Sequence, residues 1–356
     1  MMIEKISISG FKSIKEFKDM PLGKLNILIG ANGSGKSNFI KVFSLLNHII
    51  DKRLQLFVGQ EGGADKLLFF GQKTTNKIKI DVDFGWKLYS CTLYPGENDR
   101  LFFAEEKCTF KNGSGGIPAM GSGHSESLIH AHAKNPVARH VLETMKSWIV
   151  YHFHDTSSSA KVRKQCDIND NRSLRNDASN LAAFLYLLKE KHENNYRNIV
   201  NTMRMVAPFF EDFILEPSRL NPEMISLEWR HTGSDSYFNS HALSDGTLRF
   251  ICLATLLLQP EPPSVILLDE PELGLHPFAI ALLADMLQSA KEKTQIIVSI
   301  QSVAFLNQFE PEDIIVFERS DEQSVFRKFS KEEIKDWLED YGLGDLWEKN
   351  IIGGRP

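Results

Sequence analysis

The sequence predicts an α/β protein with a parallel sheet, an antiparallel β subdomain and an inserted helical lobe. Three observations point there. Residues 24–29 (KLNILI) run as a short apolar strand into the glycine-rich segment Gly30-Ala31-Asn32-Gly33-Ser34-Gly35-Lys36-Ser37, and residues 38–50 then place Phe39, Ile40, Phe43, Leu46 and Ile49 at helical spacing. From Lys77 the period changes to two: KIKIDVDF puts Ile78, Ile80, Val82 and Phe84 on one face, and WKLYSCTLY and RLFFAEEKCTF follow as antiparallel strands. In the last third the apolar strands SVILLD, QIIVSI and DIIVFER alternate with helical stretches, the pattern of a parallel sheet covered on both faces.

The remaining elements follow in order. Residues 2–8 read as a strand. Residues 111–126 (KNGSGGIPAMGSGHSE) hold five glycines and no periodic apolar set, so a mobile surface loop is expected. A helix is expected over 136–150 and a strand over 150–155 (VYHFHD). Leu181, Phe184, Leu185 and Leu188 recur at i, i+3, i+4 and i+7, and a second helix follows at 195–206. Four segments result: 1–76 with the glycine-rich loop, 77–155 as the antiparallel β subdomain, 156–230 as a mainly helical insertion, and 231–356 completing the parallel sheet.

Composition narrows the function. The chain has 356 residues, 42 % of them hydrophobic, enough for a large core. Its net charge of −5, from 41 basic and 46 acidic residues, speaks against a chain that coats nucleic acid uniformly and leaves room for a local basic patch. Cys91, Cys108, Cys166 and Cys252 have no paired spacing, which suits a reducing compartment and not a disulfide or zinc framework. No apolar run approaches the roughly 20 residues of a membrane span, and MMIEKISISG carries charges where a leader needs an apolar stretch. A cytoplasmic protein without membrane contact is expected.

Three motifs carry chemistry. Gly30 to Ser37 is a full GxxxxGK[ST] match between a strand and a helix. Its glycines let successive N–H groups face phosphates. Lys36 can reach the β- and γ-phosphates, and the Ser37 hydroxyl suits magnesium. With Asn38, which follows, these are the candidate nucleotide-binding residues. Val265 to Pro271 is an apolar strand ending in two carboxylates: Asp269 suits a magnesium ion and Glu270 the role of base for an attacking water. Leu243-Ser244-Asp245-Gly246-Thr247 opens a helix with Ser244 as N-cap and Gly246 permitting close approach of an anion.

GANGSGKSN, LSDGT and ILLDEPELGLHP, in that order, resemble the ATP-binding-cassette ATPases of the RecF, SMC and OLD branch. With ISGFKSI, YHFHDTS, NLAAFLYLL and WLEDYGLGDLWEKNIIGGRP, nearly the whole chain resembles the RecF-like ATPases of the AAA_21 type. The resemblance implies a P-loop NTPase fold with an ABC-type head and hydrolysis of ATP to ADP and phosphate with Mg2+. It also implies an ATP-dependent head-to-tail homodimer, in which Ser244, Asp245 and Gly246 of one protomer meet the γ-phosphate held by Lys36 and Ser37 of another. Gly274, Leu275 and His276 fall where the family has its inter-protomer loop, and Lys12, in the GFKS turn, near the adenine or the phosphates. Residues 38–243 separate the first two motifs by more than a transporter cassette allows, and they lack long heptad arms. One departure stands out: IIVSIQS places Gln301 where the family carries a histidine, so slow hydrolysis is expected, with Gln301 sensing the γ-phosphate.

Weaker signals remain open. His152 and His154, two apart on the expected strand, share a face, with His130 and His132 nearby in sequence. Gln72, His154 and Asp155 compete for the sensing-loop role. Residues 161–175, with Lys161, Arg163, Lys164, Arg172 and Arg175, form either a solvated loop or a contact to DNA. The stretch after the last strand motif is about 50 residues, short for a nuclease domain. The expected output is control of a separate effector or nuclease protein in genome maintenance or anti-phage defence. The alternative is a non-hydrolytic ATP-bound scaffold presenting or inhibiting a toxin-like effector.

Overall fold

The computed structural model describes residues 2–111 and 115–355. Its contacts divide the chain into two interleaved compact units. One holds the residues up to Val150, Pro263–Leu267 and everything from Thr294 onward; the other holds Tyr151–Pro262 and Leu268–Lys293. These units cut across the four consecutive segments expected from sequence.

The first unit opens with β1 (Lys5–Phe11) and β2 (Ile14–Pro21), an antiparallel hairpin. β2 was not expected from sequence. A register shift between Ile6 and Ile8 leaves it burying only Ile14, Phe17 and Met20, a period of three that resembles neither a helix nor a strand. β3 (Leu25–Ile29) is buried throughout and leads through the glycine-rich loop into α1 (Lys36–Ile50). All five helically spaced apolar residues of α1 are buried, as expected. α2 (Leu54–Gln60), α3 (Ala64–Leu67), β4 (Ile78–Asp83), β5 (Lys87–Pro95), β6 (Leu101–Phe110), β7 (Gly116–Ile117), α4 (Pro136–Lys146) and β8 (Trp148–Tyr151) follow. One sheet has the order β2-β1-β4-β5-β6-β7, with antiparallel neighbours. The antiparallel subdomain thus recruits the first hairpin, and Ile78, Ile80 and Val82 face its core as expected.

The second unit contains β9 (Cys166–Asp167), α5 (Leu181–Lys191), α6 (Glu193–Val206), β10 (Phe210–Ile214), β11 (Met224–Ile225), β12 (Glu228–His231), β13 (Tyr237–Asn239) and α7 (Asp245–Leu258). α7 buries every residue from Leu248 to Leu257, and its C-terminus is closed by the Asn195 side chain, which donates to the Leu258 carbonyl at 2.7 Å. β14 (Val265–Asp269) spans the division, and α8 (Pro277–Ala290) completes the unit. The chain then returns to the first unit with β15 (Gln295–Ser299), α9 (Val303–Leu306), β16 (Ile314–Ser320), β17 (Gln323–Lys328), α10 (Lys331–Leu338) and α11 (Leu343–Glu348). A second sheet has the order β17-β16-β3-β15-β14-β8. β3 is parallel to both β15 and β16, with Ile27 opposite Val298 and Ile314, and the outer β17 runs antiparallel to β16.

Three expectations need correction. Residues 156–230 carry two helices but also β9 to β12, because the alternating FEDFI and EWRH segments pair around Phe210, Phe213 and Trp229. The strand expected at 150–155 stops at Tyr151, so His152 and His154 lie beyond it. In the expected mobile loop 111–126, residues 112–114 lie outside the described residues, and the remainder is pinned. β7 pairs with β6, Met120 is buried, His124 stacks on Phe103, and the Glu126 carboxylate accepts the Leu54 and Gln55 amides at the start of α2. Composition hid this, since the anchors are single side chains separated by glycines.

The same region is organised by a fully buried carboxylate. Glu106 accepts hydrogen bonds from Tyr89 Oη (3.0 Å), the Ser127 hydroxyl and the Leu128 amide (2.9 Å). Burial together with the charge of Glu106 pushes the Tyr89 phenol well above its ordinary pKa, so it stays a donor. Glu106→Ala strands three buried donors and is expected to lower stability by about 3 kcal/mol, measured by denaturant unfolding, whereas Glu106→Gln retains most of it.

Candidate nucleotide-binding site

The loop from Gly30 to Ser37 sits in the first unit, at the C-terminal end of β3. Its path needs residues without side chains. Gly30 has φ 148°, and a Cβ there would strike the Phe317 carbonyl; Gly35 has φ 113°, and a Cβ would strike the Ser324 side chain. Gly35 is also the N-cap of α1, with no side-chain cap and no acid in the first turn, so the positive end of a 15-residue helix faces the loop. The Lys36 ammonium is nearly buried and donates to the carbonyls of Gly30 and Ala31, folded back along the loop. The Ser34 hydroxyl is buried with no hydrogen-bond partner among the described residues. Ala31, Asn32, Gly33, Ser37 and Asn38 are at least partly exposed, leaving the loop's outer surface open. An uncapped helix start, an inward lysine and an unpartnered hydroxyl fit a phosphate chain.

Gln301 belongs to the same unit. It is exposed just past the end of β15, and β15 runs parallel to β3 as its direct neighbour, so the glycine loop and Gln301 leave the same edge of the sheet. The next residue, Ser302, caps α9 by accepting the Phe305 amide at 3.2 Å. Lys12, at φ 49° in the β1–β2 turn, lies 2.8 Å from Glu61, which also pairs with Lys41 at 3.0 Å. Burial raises the Glu61 pKa, but the hydrogen bonds and charges of Lys12 and Lys41 outweigh it and hold the carboxyl below its usual range. Gln72 is exposed in a turn, its amide N–H bonded to Asp65 and its side chain to Asp99.

Two residues not singled out as candidate site residues join the loop to the turn beside Lys12. Ser13 Oγ accepts from the Asn38 side chain at 2.7 Å and from Ser324 Oγ at 2.8 Å. The Ser324 amide donates to the Ser13 carbonyl at 2.8 Å. Isolated serines 311 positions apart leave no local pattern, and only the folded sheet makes them neighbours.

The second unit holds the other two motifs. Ser244 is the N-cap of α7, its hydroxyl accepting the Thr247 amide at 3.1 Å. Asp245 is bound at 2.8 Å by the nearly buried Arg163, which also donates to the carbonyls of Thr156, Ser240 and Leu243. A Cβ on Gly246 would lie 2.5 Å from the Gly274 carbonyl, so the LSDGT turn and the loop at 274–276 are in backbone contact. Asp269 ends β14. Glu270 follows at φ 44°, a left-handed conformation that costs a side-chain-bearing residue of order 1 kcal/mol or more and recurs at functional sites. A cavity of about 10 Å³, on the scale of one water molecule, is bordered by Tyr151, His154, Arg249, Leu268, Asp269 and Glu270.

Arg249 was missed from sequence because it sits amid the apolar run LRFICLATLLL. It is nearly buried and donates to the carbonyls of Phe153 (3.0 Å), His154 (3.1 Å) and Leu273. One guanidinium therefore ties α7 to the segment after β8 and to the loop after Glu270. His154 and Asp155 are exposed there. The Asp155 carboxyl is held below its usual range by the Ser157 hydroxyl and amide. His130 bonds the Ile50 carbonyl at 2.6 Å. The basic stretch 161–175 is largely neutralised: Arg163 binds Asp245, Lys161 pairs with Asp177 at 3.0 Å, and Arg175 pairs with Asp170. The two latter pairs border a polar cleft of about 470 Å³.

Residues 25–307 match the AAA_21 family, described as "AAA domain, putative AbiEii toxin, Type IV TA system". An OLD nuclease from Thermus scotoductus is 24 % identical over 390 residues, spanning 99 % of this chain and 68 % of that protein. Among solved structures, an SMC head bound to the C-terminal winged-helix domain of ScpA superposes with TM-score 0.63 at 18 % identity, covering 94 % of this chain and all of the other. An SMC head with an extended coiled coil, bound to the C-terminal domain of ScpA and derived from Pyrococcus furiosus, gives 0.58 at 18 % identity, covering 95 % and 98 %. The fold is that of a P-loop NTPase of the ABC type.

Arg249→Ala leaves three carbonyls without their donor and is expected to lower stability by about 2–3 kcal/mol in denaturant unfolding. Arg249→Lys is expected to recover little of it, since an ammonium does not span the three acceptors as a planar fork does.

Proposed function

The chain belongs to the AAA_21 family, and on that premise we propose that it binds and slowly hydrolyses ATP, and that ATP closes a head-to-tail homodimer controlling a separate effector or nuclease protein. The observation that carries the nucleotide reading is the glycine loop itself. It combines an uncapped α1 N-terminus, an inward Lys36 and the unpartnered buried hydroxyl of Ser34, with Gln301 emerging from the adjacent parallel strand. In this reading the amides of residues 30–37 take the phosphate oxygens, Lys36 turns from the Gly30 and Ala31 carbonyls to the β- and γ-phosphates, and Asn38 is held ready by Ser13.

Ser37 and Asp269 supply a hydroxyl and a carboxylate, the oxygen donors magnesium prefers, and would hold it. Magnesium, when bound, neutralises charge on the phosphates. Glu270 then orients and deprotonates the attacking water, its side chain aimed by a backbone conformation that an unconstrained glutamate avoids. Gln301 donates an amide hydrogen bond to the γ-phosphate but carries no charge at neutral pH, so turnover is slow.

Dimer closure draws on the second unit. Ser244, Asp245 and Gly246 lie at the exposed start of α7, and the loop in contact with Gly246 is flanked by Leu273 before it and by Phe278 in the first turn of α8, each about half exposed. Apolar side chains flanking an anion-binding helix start suit a surface that is covered when ATP is bound. A role in genome maintenance or anti-phage defence fits this switch, with DNA contacted by the partner or by the remaining cations Lys164 and Arg172.

Lys36→Ala is expected to weaken ATP binding at least 100-fold in equilibrium titration, and unchanged affinity refutes the nucleotide site. Glu270→Gln is expected to keep ATP binding while turnover falls on the order of 100- to 1000-fold. Equal turnover by both proteins would refute the base assignment, and no turnover by the native chain would favour the scaffold reading.

A further inference from the structure

Residues 343–355 come back to the glycine loop from far along the chain. α11 is anchored at its start by the Gly344 amide, which donates to Asn307 Oδ1 at 2.6 Å. Trp347 is fully buried, and its indole N–H donates to the carbonyl of Gly354. Between them the chain reverses through Asn350 at φ 57°, with the Ile351 amide bonded to the Leu346 carbonyl at 2.8 Å and Ile352 buried. The Gly354 amide donates to Glu318 Oε1 at 2.9 Å, near the end of β16. A Cβ on Gly354 would lie 3.2 Å from the Cα of Gly30 and 3.3 Å from the Phe317 carbonyl, and a Cβ on Gly30 would strike that same carbonyl. The backbones at 30, 317 and 354 are therefore close neighbours, and the Val316 side chain, 2.5 Å from that same Cβ position, closes the other side of Gly354.

We propose that residues 347–354 form a clasp that positions Gly30, the first residue of the phosphate loop, and that docking of this clasp is linked to occupancy of the loop by nucleotide. The proposal rests on the ATP reading above. Gly30 is the hinge between β3, buried throughout, and a loop braced by its own bonds: the Ser34 amide donates to the Ala31 carbonyl at 3.1 Å, and Lys36 donates to the Gly30 and Ala31 carbonyls. The direction of this braced loop relative to the sheet is thus set at its two ends. Gly35 is held by Ser324 at one end, and Gly30 by Phe317 and Gly354 at the other. If the docked clasp favours the phosphate-binding arrangement, bound phosphate must favour the docked clasp by the same factor. Trp347 and Glu318 are positioning residues in this account, acting through Gly354.

The test uses the full chain, with hydrogen exchange followed by mass spectrometry with and without Mg-ATP, and ATP affinity measured by titration. Mg-ATP is expected to slow exchange in both 30–37 and 350–355. Trp347→Phe keeps one aromatic ring but loses the pyrrole half of the indole with its N–H, so the bond to Gly354 is replaced by a small void; it is expected to weaken ATP binding roughly 3- to 10-fold. Glu318→Ala is expected to act alike, Glu318→Gln to restore affinity, and Gly354→Ala, which drives a methyl group into Val316 and toward Gly30 at a positive φ of 62°, to cost more. Protection of 30–37 without any change at 350–355, or native ATP affinity in Trp347→Phe, overturns the clasp and leaves the nucleotide reading standing. Exchange unchanged in both segments removes the nucleotide reading and the clasp with it.

Discussion

Backbone crowding around the loop between β3 and α1 is the constraint on which the first unit is built. At Gly30 and Gly35 the surrounding atoms stand closer than any Cβ allows, and both residues take positive φ. That path exposes the start of α1 without a cap and turns Lys36 inward. It also requires a strand on each side of β3 to hold the loop's base. β15 delivers Gln301 to the loop's edge, and β16 delivers the Phe317 carbonyl on which Gly30 rests. A larger residue at Gly30 would displace the Phe317 backbone, which has few ways to yield, and one at Gly35 would displace the Ser324 side chain from its bond to Ser13.

A parallel device operates in the second unit. Gly246 and the Gly274 carbonyl are in backbone contact, and the Arg249 guanidinium binds three carbonyls on two other segments. The LSDGT turn, the segment at 153–154 and the loop following Glu270 are thereby fastened into one body. Displacing the loop after Glu270 would break the Gly246–Gly274 contact and the Arg249 bond to Leu273. This suits a protein in which the chemistry at one residue set reports to a surface used for association, the behaviour proposed for this member of the AAA_21 family.

Much of this was readable from sequence where chemistry is local. The GxxxxGKS segment, the apolar strand ending in Asp269-Glu270 and the Ser244 cap each occupy a handful of consecutive residues, and each lies where expected. The α/β class followed from strand length and alternation. Harder to read were features assembled from distant single residues: Ser13 with Ser324, Arg163 with Asp245, Arg249 with Phe153 and Leu273, Trp347 with Gly354. Periodicity misled in two places. The bulged β2 shows a period of three, and the glycine-rich 111–126 conceals its anchors Met120, His124 and Glu126. The basic stretch 161–175 looked like a charged surface because its partners Asp177 and Asp245 come later in the chain.

The central claim is that ATP assembles two protomers, each completing the other's site. Light scattering of Glu270→Gln, with and without Mg-ATP, tests it directly. The account predicts a 40.4 kDa species that doubles in mass only when Mg-ATP is present. A mass that does not respond to Mg-ATP, whether monomeric or already larger, would contradict it.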